Sequence, residues 1–290
     1  MIRIGIIGTE SSHAMAFAKY FNCPEPETDA FRYPDIRVVA VMGDRQSAEE
    51  VQEKANVPTC YERAEDFLGN VDAVMITTPK GSKHLEQIRP FIDLDLPIFI
   101  DKPFTASVKE AEILGSLLKN SKCKVTGGSG LKYAKGVDEY KALVSKLRQD
   151  RKLVGASMDF QTVLESEHDG LYFYTPHLIE LLLEIFGPEV RTVTAVRTEK
   201  NVTAIIAYEC EIVSLHFVED SMDTSCVLYT KEHNHYTVFD WSNIYQSLAD
   251  HFVEMLRSDH WTSDVDRMIH SVKLINAIVT SLETGKTVCL

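Results

Sequence analysis

The sequence predicts an α/β protein: an amino-terminal doubly wound parallel sheet, followed by an α+β domain with a largely antiparallel, open sheet. Three observations predict it. Short Val/Ile-rich runs alternate with helical patterns over the first ~125 residues, as strands covered on both faces require. A GGSG break at 127–130 ends that alternation. Beyond it, strand patterns follow one another mostly without helices between them, the layout of an antiparallel sheet with one face left open. Two domains are therefore expected, 1–126 and 127–290.

In chain order, the first strand is expected at 2–7, then a turn, then an amphipathic helix at 12–21. Further strands are expected at 37–42, 71–78, 97–101 and 124–127, and helices at 47–55, 61–68, 82–93 and 107–119. The last of these opens with Ser107-x-x-Glu110, a capping box, and then sets Val108, Ala111, Leu114, Leu117 and Leu118 on one face. Residues 23–35 form a longer polar insertion. After the break, Val137, Tyr140, Leu143, Val144 and Leu147 fall in helical register. Strands are then expected at 153–162, 190–197, 203–208, 211–218, 225–231 and 236–240. One helix at 176–186 interrupts them, and helices at about 243–256 and 263–283 close the chain.

With 290 residues and 44 % hydrophobic content, the chain can bury a sizeable core without staples. A net charge of −13 and no Lys/Arg patch argue against nucleic acid or anionic lipid as a partner. No run reaches the length of a membrane span. MIRIGIIG is itself a strand and lacks the features of a signal peptide, so a cytoplasmic protein is expected. In that compartment the six scattered cysteines read as buried thiols. His233-x-His235 has no third ligand nearby, so it reads as a polar hairpin and no metal site is expected.

The first turn carries the functional question. A strand, a tight turn and a helix suit a dinucleotide, whose pyrophosphate rests against the helix's first amides. Of the glycine fingerprint, only Gly8 is present; Glu10 takes the second place and His13 the third. Gly8 makes the tight turn, while Ser11 and Ser12 can cap the helix and face an anion. Asp44, at the end of the second strand, can accept from the adenosine ribose hydroxyls. Arg45 follows and could meet a 2′-phosphate, so both NAD and NADP stay open.

VDAVMITTPKGSKH (71–84) followed by IFIDKPFTASVKEA (98–111) resembles the Gfo/Idh/MocA family, named for glucose–fructose oxidoreductase and inositol dehydrogenase. Thr78, Pro79 and His84 match its strand, loop and helix-opening histidine. Asp101, Lys102 and Pro103 match its Glu-Lys-Pro, with Asp for Glu. FYTPHLIE matches its later Asp-x-Gly-x-His-x-x-Asp through Phe173, Thr175, His177 and Glu180, with Phe173 standing where the family has aspartate. The resemblance implies hydride transfer between a nicotinamide, NAD or NADP, and a sugar, inositol or other polyhydroxy compound. It implies cofactor contacts from Gly8, Ser11, Ser12, Asp44, Thr78, Pro79, His84 and Asp101, and catalysis by Lys102 and His177. Lys102 stabilises a developing alkoxide and His177 accepts the proton. Thr175 is expected to cap the helix with Pro176 first inside it, so that the dipole keeps His177 neutral. Tyr172 and Tyr174 are candidate substrate contacts. By the same resemblance, the second domain pairs with another copy as a homodimer or homotetramer. A regulator of the same fold that binds without turnover is the alternative, suggested by Glu10 and Phe173.

Overall fold

The computed structural model describes residues 1–221 and 223–290. The chain forms two compact units, Met1–Gly128 with Tyr245–Asp266, and Ser129–Ile244 with Arg267–Leu290.

The first unit is built from β1 (Ile2–Ile7), α1 (Ser12–Asn22), β2 (Ile36–Met42), α2 (Arg45–Ala55), β3 (Thr59–Cys60), β4 (Ala73–Ile76), α3 (His84–Ile92), β5 (Ile98–Asp101), α4 (Val108–Lys119) and β6 (Val125–Gly128). The strands lie in the order β3-β2-β1-β4-β5-β6, all parallel. Every residue of β4 and β5 is buried, which is why these strands read as continuous apolar runs. The order reverses between β1 and β4, so the carboxyl ends of those strands open the crevice where wound sheets bind ligands. The helix expected at 61–68 is instead one 3₁₀ turn, Ala64–Phe67. Arg63 and Asp66 cap it reciprocally, and Gly69, at φ +76°, turns the chain out of it.

The second unit contains α5 (Val137–Gln149), β7 (Leu153–Gln161), α6 (Thr175–Phe186), β8 (Thr192–Arg197), β9 (Asn201–Ala207), β10 (Ile212–Val218), β11 (Ser225–Thr230) and β12 (His235–Val238). After α7 (Ile244–Arg257), the chain ends with α8 (Val265–Thr284) and β13 (Val288–Cys289). Its sheet runs β12-β11-β7-β10-β9-β8-β13, antiparallel except where β7 lies parallel to β10. One face is dry: Val202, Ala204, Ile206, Val213, Leu215 and Phe217 are fully buried against a core that includes Leu178, Leu181 and Leu182 of α6. The other face carries Thr203, Ser214 and His216, with Val196, Ile212 and Tyr229 exposed. This period of two makes the strands legible.

From Tyr245 onward α7 belongs to the first unit. Phe252 packs edge-on against Phe99 of β5 with ring centroids 5.9 Å apart, and the Trp261 indole donates to the Val125 carbonyl at 3.0 Å. The cysteines correct one expectation. All six are free, but only Cys123 and Cys226 are buried; Cys60, Cys210 and Cys289 are exposed and Cys23 is intermediate. Their strand ends and loops leave the thiols in contact with water. No described helix is long and apolar enough to cross a membrane.

Candidate functional site

In the first unit, Gly8 adopts φ +105°, and a Cβ there would stand 2.1 Å from the Thr78 amide nitrogen. Only glycine permits that approach of β1's turn to the loop after β4. Ser11 caps α1 by accepting the His13 amide at 3.1 Å. Ser12 is the first residue of α1, at its positive end. Glu10 turns to the end of β2, where its Oε1 accepts the Asp44 amide at 3.1 Å. Asp44 caps α2 through the Gln46 and Ser47 amides, which hold its carboxyl below the usual range, with the Ser47 hydroxyl contributing most. Two carboxylates thus stand at the end of β2. Arg45 is exposed and pairs with Glu49 at 2.8 Å, one turn along α2.

Thr78 and Pro79 are buried at the end of β4, and the Thr78 hydroxyl donates to Gln87 at 2.8 Å. His84 is fully buried. Its Nε2 lies 2.8 Å from the Thr78 carbonyl oxygen and its Nδ1 3.3 Å from that of Phe104, so it ties the loops after β4 and β5 together. Asp101 ends β5 and is 1 % exposed. Its Oδ2 lies 2.7 Å from His13 Nδ1. Neither that nitrogen nor Asp101 Oδ1 makes a directed hydrogen bond among the described residues, so the contact is an ion pair. Burial alone would push the Asp101 carboxyl up; His13, with Lys102 next in the chain, outweighs it and holds the carboxyl below the aspartate range. The Tyr245 and Phe17 rings flank His13 with centroids at 4.9 and 6.3 Å. Lys102 is buried at 5 % exposure, followed by a cis peptide to Pro103.

In the second unit, α6 begins at Thr175, not after it. Thr175 is not the cap: its hydroxyl donates back to the Leu171 carbonyl, and Tyr174 occupies the capping place without a side-chain bond. The 3₁₀ turn at Gly170–Tyr172 brings that carbonyl within reach. His177 still lies in the first turn, 8 % exposed, with its ring 5.2 Å from that of Phe160. Its Nδ1 meets the Ser129 hydroxyl at 2.7 Å. Glu180, one turn on and 3 % exposed, accepts the Ser129 amide at 2.8 Å and faces Lys132 Nζ at 3.4 Å. Burial raises the Glu180 carboxyl above its usual range, with Lys132 opposing. Phe173 packs against the His168 and Tyr174 rings at 4.8 and 4.7 Å. The Tyr172 hydroxyl donates to Asn276 at 3.3 Å and is pushed up to about 12 by burial. Glu165 pairs with Arg197 at the surface.

Sequence reading had no means to find Ser129 or Lys132 as partners of the α6 residues, which lie 48 positions away. The one signal was the GGSG break itself, a serine directly after the last parallel strand.

The parallel order, the Gly8 turn and the capped α1 define a dinucleotide-binding unit. Residues 2–129 match the Gfo/Idh/MocA family model, described as an oxidoreductase family with an NAD-binding Rossmann fold. The chain belongs to that family. Comparison with curated proteins gives no sequence match. Among solved structures, the chain is similar to the scyllo-inositol dehydrogenase of Lactobacillus casei with bound NAD(H) and scyllo-inositol. Identity is 13 %, with 100 % of this chain and 99 % of that one covered at a TM-score of 0.84. It is also similar to the myo-inositol 2-dehydrogenase of Lactobacillus plantarum, at 15 % identity, 100 % and 99 % coverage and TM-score 0.84. An oxidoreductase of Agrobacterium radiobacter in complex with NAD+, L-tartaric acid and magnesium aligns at 15 % identity, 99 % and 98 % coverage and TM-score 0.79. At these identities the likeness is one of fold.

Proposed function

We propose that this chain is an NAD-dependent dehydrogenase acting on the CH–OH group of a sugar, inositol or related polyhydroxy compound. The observation that carries the reading is Gly8 at the β1–β4 reversal, a turn in which any Cβ would strike Thr78. The residues fit a dinucleotide. Gly8, Ser11 and Ser12 would receive the pyrophosphate at the start of α1, with Glu10 drawn aside by the Asp44 amide. Asp44 would accept from the ribose hydroxyls; with Glu10 beside it, a 2′-phosphate would meet two negative charges, which favours NAD over NADP. Thr78 and Pro79 would line the nicotinamide end, with His84 and Asp101 holding their loops.

When bound, NAD supplies the hydride acceptor. Lys102 and His177 would polarise the substrate hydroxyl and take its proton. Tyr172 and Tyr174 would contact the substrate. The open face of the second unit's sheet would pair with another copy of the chain. The named activities of the inositol dehydrogenases that share the fold support the substrate class. The test is NADH fluorescence on mixing, then NAD reduction across a panel of inositols and sugars. Turnover that Lys102→Ala abolishes while NADH still binds supports the reading.

Phe173 favours a second reading. A phenyl ring packed between His168 and Tyr174 can neither orient a hydroxyl nor exchange a proton. A regulator that binds cofactor and sugar without turnover would show NADH binding, no reduction across the panel, and no change with Lys102→Ala.

A further inference from the structure

The second unit buries a hydroxyl whose hydrogen has one destination. Ser129 is fully buried. Its Oγ accepts the Leu131 amide at 3.1 Å, and its own amide donates to Glu180 at 2.8 Å. Its remaining polar neighbour among the described residues is His177 Nδ1, at 2.7 Å. A buried hydroxyl left without an acceptor is costly, so the Ser129 hydrogen goes to that nitrogen. Nδ1 is then the acceptor of the pair. A neutral imidazole has one donor and one acceptor nitrogen, so its proton sits on Nε2.

We propose that Ser129 is a positioning residue that holds His177 as the neutral tautomer protonated on Nε2, so that His177 serves as a hydrogen-bond donor and not as a proton acceptor. This rests on the dehydrogenase reading for its consequence, though the tautomer stands on the Ser129 geometry alone. In that reading His177 donates to the substrate oxygen and proton acceptance falls to Lys102. Protonating Nδ1 would turn both groups of the Ser129–His177 contact into donors and strand the hydroxyl. The charged groups around the ring act through one network: Glu180 on α6, Lys132 in the turn after β6, and Arg267 on α8, whose charge reaches Glu180. The rings of Phe160 and Tyr174 complete the surroundings.

The experiment is nitrogen-15 NMR of the full chain with labelled histidine, the His177 signals being assigned by their loss in His177→Gln. The expected result is a wild-type signal protonated on Nε2 and hydrogen-bonded on Nδ1. In Ser129→Ala the stranded-hydroxyl penalty disappears, so the midpoint for protonating His177 rises by about one to two pH units. A wild-type signal protonated on Nδ1 overturns the proposal. So does a Ser129→Ala midpoint equal to that of the wild type. The wild-type tautomer decides even if the variant fails to fold. It decides as well if the chain proves to be a regulator, because neither readout depends on turnover.

Discussion

Replacing His13 with alanine leaves the Asp101 carboxylate, 1 % exposed, without its counter-charge 2.7 Å away. Removing one partner of a buried ion pair costs about 3–5 kcal/mol, because the charge left behind has lost its water and gained nothing in exchange. For a folded unit of this size each kcal/mol lowers the melting temperature by about 2–4 °C, so His13→Ala is expected to melt roughly 6–20 °C below the wild type at neutral pH. The reverse substitution, Asp101→Asn, is expected to cost less, since a buried histidine sheds its proton near neutrality whereas a buried carboxylate must take one up far above its ordinary range. The pH dependence has a definite sign. The Asp101 carboxyl is held below its unfolded value, so its contribution is present above the ordinary aspartate range and is lost as pH falls through the depressed value. The gap between wild type and His13→Ala should therefore close on acidification. The assay is differential scanning calorimetry over a pH series. A His13→Ala melting temperature within about 2 °C of the wild type at neutral pH, or a penalty for Asp101→Asn equal to that for His13→Ala, would refute the argument.

Gly8→Ala places a methyl 2.1 Å from the Thr78 nitrogen at φ +105°, so NADH binding measured by fluorescence should be lost and the melting temperature should fall. Lys132→Met leaves buried Glu180 with only the Ser129 amide. Because the Glu180 carboxyl is already raised, the stability linked to its proton is present in acid and lost as pH rises through the raised value, so the variant's deficit should appear above the ordinary glutamate range and vanish below it, as chemical denaturation at two pH values will show. Val196→Lys on the open sheet face, 64 % exposed, should leave the melting temperature within about 1 °C if the face is free, and should shift the oligomer toward single chains in sedimentation if the face pairs copies.

The period-two alternation of β9 and β10 and the fully apolar β4 and β5 made both sheets legible before any coordinates, because burial on one face or two writes itself directly into residue type. Two-residue strands carry no such period. β3 and β13 were therefore invisible, and Tyr61 and Phe67, which look like the apolar face of a helix, anchor a single turn by stacking edge-on at 4.9 Å. At the candidate site, positions that matched a motif could be named, whereas their partners could not. His13 looked like a lost glycine until Asp101 was found against it, and Ser129 looked like part of a linker. Such pairings join residues 88 or 48 apart through packing alone, and nothing local marks them. The Thr175 cap failed for the opposite reason: a good local candidate lost its place to the preceding turn, whose Leu171 carbonyl captured the hydroxyl.

The amino-terminal unit is not finished when its sixth strand is made. Phe99, Val125 and His13 wait for Phe252, Trp261 and Tyr245, which emerge from the ribosome only after more than a hundred further residues. During synthesis the nascent sheet must hold an uncovered aromatic flank, the kind of surface that chaperones bind. A fragment stopping at Gly128 would keep every glycine and lysine of the cofactor turn and still expose that flank. Shortening the gene to isolate the nucleotide-binding half should therefore yield aggregates, whereas grafting 245–266 back through a short linker should restore solubility.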